Sequence, residues 1–156
     1  MARHDRSLLR TASRLALGGR GKPRQSDLRR AVSTIYYALF QALAAEAADL
    51  LVGRSARSSA AWRRVHRAIE HRTAKSAAEA LAKSRSASDD LRRFCRAFTR
   101  AQEERHAADY EPSSRLRREE VGAALEAGHA ALDSLERLGR DERLELVTRC
   151  LFRERP

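Results

Sequence analysis

Apolar residues along this 156-residue chain recur at steps of three and four, the spacing of a helix with one buried face. No segment alternates persuasively enough to be a strand. Leu8, Leu9, Ala12, Leu15 and Ala16 predict a first helix that stops at Gly18-Gly19, a favoured helix end. GRGKPRQS then forms a loop, with Ser26 or a nearby polar residue capping the next element. From Asp27 to about Val52 runs the strongest periodic segment, its stripe made of Leu28, Val32, Ile35, Tyr36, Leu39, Phe40, Leu43 and Ala47. Gly53 ends it, and RSARSSA is a basic, serine-rich connection.

Residues 59–82 predict one or two further helices, with Trp62, Val65 and Ile69 on the apolar face and Arg63, Arg64, Arg67 and Arg72 opposite. After the loop KSRSAS, Ser88 or Asp89 caps a long helix that carries Leu91, Phe94, Cys95 and Phe98 inward and reaches about Tyr110. Pro112 cannot continue it, because it lacks an amide hydrogen and biases its predecessor away from helix. Ser113 or Ser114 is the expected cap of the next helix, which bears Val121, Ala124, Leu125, Gly128, Leu132 and Leu135. LGRDE breaks that helix, and a short last one bears Leu144, Val147, Leu151 and Phe152. The expected fold is all-α: an up-and-down bundle of five or six helices forming a single domain over residues 1–156.

The charge is not evenly spread. Of 32 basic residues 29 are arginine, and the net charge is +11, an excess that a GC-rich genome can generate by itself. Its placement says more. Residues 1–30 hold nine basic and two acidic side chains, residues 54–75 hold seven and one, and from 76 onward there are sixteen of each. Two basic segments, the second including Arg63, Arg64 and Arg67, are what a phosphate-rich partner such as RNA requires. The Arg- and Ser-bearing N-terminus superficially suits a transit peptide, but its helical spacing favours a first bundle helix, and a cytoplasmic location is expected. No stretch approaches the twenty apolar residues that span a bilayer. Cys95 and Cys150 lie far apart and read as small buried or half-buried hydrophobes.

Candidate chemistry gathers late in the long helix, in RAQEERHAADYEP (100–112). Steps of three and four from Phe94 and Phe98 reach Ala101 and Gln102, then Arg105, then Asp109. These three polar residues are therefore expected to continue the inward face. Arg105–Asp109, Gln102–His106 and His106–Tyr110 are each four apart and able to touch. The plainer reading is a structural Arg105–Asp109 ion pair flanked by a surface His106. Of the adjacent Tyr36 and Tyr37, one should enter the core and the other could offer its hydroxyl to a neighbouring helix or a partner chain; the plainer reading is two well-packed core tyrosines. His66 and His71 are five apart and His129 and His4 stand alone, so no set has metal-ligand spacing, and neither a metal nor another cofactor is expected. Gly18, Gly19 and Gly21 follow a helix and not a strand, which excludes a phosphate-binding loop.

Two stretches together, LRRAVSTIYYALFQAL (28–43) and QEERHAADYEP (102–112), resemble the HEPN superfamily of nucleotide-binding helical domains, in its prokaryotic branch with a YYA-F helix and an R-x-x-A-D-Y element. The resemblance spans nearly the whole chain in helix order. It implies a bundle that commonly forms homodimers. Many members are metal-independent endoribonucleases, and others partner nucleotidyltransferases in toxin–antitoxin pairs. The arginine–histidine spacing of the nuclease branch falls on Arg100 and His106, while the helical register puts Arg105 nearer the inward stripe. By that resemblance His106 moves the proton, Arg105 or Arg100 steadies phosphate charge, and Gln102, Asp109, Tyr110 and Tyr37 support them. An alternative is a non-catalytic module that binds a nucleotide or a nucleotidyltransferase.

Overall fold

The computed structural model describes residues 2–153, with side chains from residue 5 onward, so the side chain of His4 lies outside the described residues. Among these there are seven α-helices and no strand: α1 (Ala2–Leu17), α2 (Gln25–Leu51), α3 (Ala60–His66), α4 (His71–Lys83), α5 (Asp89–Tyr110), α6 (Arg118–Arg137) and α7 (Arg140–Leu151), with a 3₁₀ turn at Arg54–Ala56. Of the one or two helices expected over residues 59–82 the structure has two, separated by residues 67–70, and the total is one more than the upper figure of the five or six expected. The turn preceding these two helices depends on Gly53, whose φ of 108° is reached without strain only by glycine.

Chain direction follows from side-chain contacts at the helix ends. Arg6 near the start of α1 pairs with Asp133 (2.6 Å) and Glu136 near the end of α6. Arg29 near the start of α2 reaches the carbonyls that end α5, and Asp90 at the start of α5 pairs with Arg137 at the end of α6. Helices α1, α2, α5 and α6 thus form an up-and-down four-helix bundle, with α4 laid on α5 and α7, and α7 also touching α2. Sixteen residues of α2 are buried, among them every member of the predicted stripe, and this helix is the axis of the molecule.

The two cysteines are buried free thiols as expected, both pushed up to about 12 by burial. Helix α7 turns a different face inward than its sequence suggested. Leu146, Val147 and Cys150 are buried, Leu144 and Leu151 are half-buried, and Phe152 is exposed.

Several predicted caps also move. Ser88 does cap α5, accepting from the Leu91 amide at 3.1 Å. Helix α2, however, begins at Gln25, before Ser26, with Arg24 as its N-cap. Ser113 and Ser114 do not start α6 either. Arg29 binds the carbonyl of Ser114, and the Gln25 side chain grips both the carbonyl (2.8 Å) and the amide (3.0 Å) of Leu116. The chain is held extended until Arg117, whose backbone amide (2.8 Å) and guanidinium (3.3 Å) both donate to the Glu120 carboxylate at the start of α6.

At the far end of α2, Asp49 anchors the α3 segment. Its carboxylate is 4% exposed and accepts two hydrogen bonds from Arg57 and one from the Trp62 indole at 2.9 Å. Burial alone would push the Asp49 carboxyl up, but these donors and the Arg54 charge outweigh it and hold it below its ordinary value. Helix α3 has no fully buried residue of its own.

Candidate functional site on α5

The polar residues late in α5 form a cluster between α5, α2 and the start of α4. Arg105 is at its centre. Its Nε lies 2.8 Å from Asp109 Oδ2, its Nη2 donates to the Tyr37 hydroxyl at 3.3 Å, and its guanidinium sits 5.7 Å and 5.4 Å from the ring centres of Tyr36 and Tyr37. That last distance pair is within cation–π range of both rings. Asp109 is shared: its other oxygen accepts from Ser33 on α2 at 2.7 Å.

The inward stripe of α5 continues as Ala101 and Ala108, both buried, with Arg105 half-buried between them. Gln102 is also half-buried, but Asp109 is at the surface. The register therefore places Arg105 and Gln102 at the margin of the core and carries Asp109 further out than expected. A buried position for an ion pair would carry a desolvation cost that this half-exposed one avoids.

His106 is exposed, its ring 4.9 Å from that of Tyr110, which is itself 64% exposed. Arg100 is elsewhere. It pairs with Glu104 at 2.8 Å, its side chain is 77% exposed, and both residues line a cavity of about 480 Å³ against α6. At about 100° per residue, Arg100 and His106 are some 120° apart around the helix. The structure thus brings Arg105, Asp109 and Tyr37 together, ties Gln102 to the start of α4, pairs the exposed His106 and Tyr110 with each other, and leaves Arg100 on a different face.

The two tyrosines are not both in the core: Tyr36 is fully buried and Tyr37 is 37% exposed. The Tyr36 hydroxyl meets Nδ1 of His71, the first residue of α4, at 2.6 Å. The His71 ring stacks on Phe40 at 4.1 Å, and its carbonyl accepts from Gln102 Nε2 at 3.2 Å. Burial, with Arg105 nearby, lowers the His71 pKa, and burial raises that of Tyr36, so both are neutral at pH 7. His71, Ser33 and Tyr36 are members of this site that helical spacing could not reveal. Their partners are 31 to 76 residues away in the chain.

The predicted basic patch of Arg63, Arg64 and Arg67 is exposed on and just after α3. From Tyr36 to Asp49, where α3 is moored, α2 rises by about 20 Å, and the α3 segment returns from that end to His71, four residues after Arg67. Among the described residues no group of three or more His, Cys, Asp or Glu is placed to hold a metal ion, and no helix is long and apolar enough to cross a membrane. Comparison of the chain with protein-family models, with curated proteins and with solved structures gave no match.

Proposed function

We propose that this chain is an HEPN-like RNA-binding protein that acts as a homodimer, with metal-independent RNA cleavage centred on His106. The observation that carries this reading is an exposed His106 next in sequence to an Arg105 held in place by Asp109 and Tyr37. Imidazole exchanges protons near neutral pH. The neutral form takes the proton of an RNA 2′-hydroxyl as that oxygen attacks the adjacent phosphorus. A 2′,3′-cyclic phosphate forms, and the 5′-oxygen leaves with a proton from the imidazolium of the second copy's His106. Arg105 offers charge to the phosphoryl oxygens in the transition state. The α3 arginines, whose segment leads back to His71 at the cluster within four residues of Arg67, bind a flanking stretch of the strand.

Incubating RNA with the protein in the presence of a chelator tests the reading. Wild type should leave 2′,3′-cyclic ends and His106→Ala should not. Equal cleavage by both, or none by either across varied substrates, removes the catalytic claim.

A second reading is favoured by the same geometry. Arg105 is already matched by Asp109 and bonded to Tyr37, as suits a module that binds without cutting and partners a nucleotidyltransferase. RNA or nucleotide binding with no cleavage, together with co-purification with a co-expressed nucleotidyltransferase, would select it.

A further inference from the structure

We propose that His71 is a positioning residue of the α5 cluster, holding Tyr36 so that the two tyrosine rings form the seat of the Arg105 guanidinium. This rests on the reading of that cluster as the RNA-contacting site. Tyr36 is fully buried, so its hydroxyl proton needs an acceptor, and the atom facing it is His71 Nδ1 at 2.6 Å. That assigns the donor as Tyr36 and the tautomer of His71 as the one protonated on Nε2. The imidazole has little freedom to leave. Phe40 covers its face at 4.1 Å, and the backbone beneath it is tied to α5 by Gln102. His71 therefore pins the start of α4 to α2 and α5 at one point, and Tyr36 passes that constraint to Arg105, which lies 5.7 Å from its ring centre.

The arrangement works only with a neutral imidazole, because a proton on Nδ1 removes the acceptor. It would also set a second cation near Arg105, at the positive end of α4. The charged and titratable groups around His71 are Tyr36 and Tyr37 on α2, Arg105 with its partner Asp109 on α5, and Arg72 and Lys75 on α4. Lys75 is itself paired with Glu79 and Glu103, and the preceding Glu70 is paired with Arg153 beyond α7. Only Arg105 on the packed helices carries a net influence toward the ring, and it opposes protonation.

The test measures affinity for a fluorescent 2′-O-methyl oligoribonucleotide from pH 5 to 8, for wild type, His71→Asn, His71→Phe and Tyr36→Phe. Simple charge effects make every histidine-bearing protein bind RNA more tightly in acid. Gating by His71 predicts the reverse for wild type. His71→Asn, which keeps an acceptor and cannot titrate, should bind like wild type at pH 7.5 and lose the acid weakening. His71→Phe and Tyr36→Phe should bind about tenfold more weakly at pH 7.5, the scale of one lost well-placed hydrogen bond.

The Arg105 Nε–H resonance is followed in parallel and needs no RNA. It should shift in His71→Phe, and in wild type on acidification, but not in His71→Asn. If no protein binds RNA yet that resonance behaves as described, the functional reading fails and the positioning role stands. If His71→Phe is folded and neither the resonance nor the pH profile moves, His71 only fills space and the inference is overturned.

Discussion

Arg105 and Asp109 form an ion pair in which each partner is also held by α2, the arginine by Tyr37 and the aspartate by Ser33. One turn of α5 is thereby docked to one face of α2 through four side chains. Under the proposed function, this pair sets the charge that the RNA phosphate meets.

Asp109→Asn should therefore tighten RNA binding, because Arg105 loses its counter-charge while Ser33 keeps a partner. Arg105→Ala should weaken it. With both side chains partly exposed, the stability change in Asp109→Asn should stay under about 1 kcal/mol. Titrations of labelled RNA at two salt concentrations read both effects. A fall in affinity for Asp109→Asn would mean that the carboxylate itself contacts the ligand.

Asp49 holds a different kind of position. Removing a buried acceptor strands its donors, so Asp49→Ala should cost about 3 kcal/mol in denaturant unfolding. Trp62 is the sole tryptophan and bonds to this carboxylate, so its fluorescence should change before the helical signal does. Because the carboxyl is held below its ordinary value, its contribution is present above the usual aspartate pKa and is lost as pH falls through the lowered value.

The lowered pKa of His71 has the same sign of effect nearer neutrality. Its stabilising contribution is complete above about pH 6.5, the unfolded value, and is lost as pH falls through the lowered folded value. His66 shifts in the same direction and is present in both proteins. The difference between wild type and His71→Asn in melting temperature, followed from pH 7.5 to 5, thus isolates His71. It should change steadily as pH falls, and a constant difference would contradict the assignment.

Arg29 donates to the carbonyls of Ala108, Glu111, Pro112 and Ser114, closing the end of α5 where orphan carbonyls would otherwise face solvent. Arg29→Met keeps the aliphatic stem and removes the donors. A loss of about 2 kcal/mol is expected, with faster amide exchange confined first to residues 111–116.

Two glycines of α6 should respond oppositely to alanine. A Cβ at Gly122 meets nothing within 4 Å, so Gly122→Ala should stabilise by about 0.5–1 kcal/mol through helix propensity. At Gly128 the same atom would sit 3.3 Å from methyl groups of Ile35 and Leu9, both buried and enclosed. Overpacking there, at about 1–3 kcal/mol, should exceed the gain. Thermal melts of the two variants give the comparison.

Much of this architecture is written locally. The α2 stripe, the Ser88 cap, the stop before Pro112 and the inward–outward split of Tyr36 and Tyr37 all depend on neighbours within a turn or two, which is the range that sequence spacing reports. The misplaced starts of α2 and α6 and the unexpected membership of His71 have one cause. Each depends on a contact across the bundle: Gln25 with Leu116, Arg29 with Ser114, Tyr36 with His71. The same reason explains why Arg29 and Arg30 look alike in sequence, although one closes a helix and the other is exposed.

The mooring of α3 divides the chain's freedom to vary. The four-helix bundle is coupled to itself through α2, where almost any side chain touches several others. Residues 54–67 are tied to it by the Asp49 carboxylate, which accepts three hydrogen bonds from Arg57 and Trp62, and by Val65 packed against the core. Under the proposed function, exposed arginines of that segment such as Arg63 and Arg64 can vary, and with them the attraction for phosphate, while the Arg105–Asp109 pair keeps its geometry, so affinity and chemistry would evolve on separate schedules.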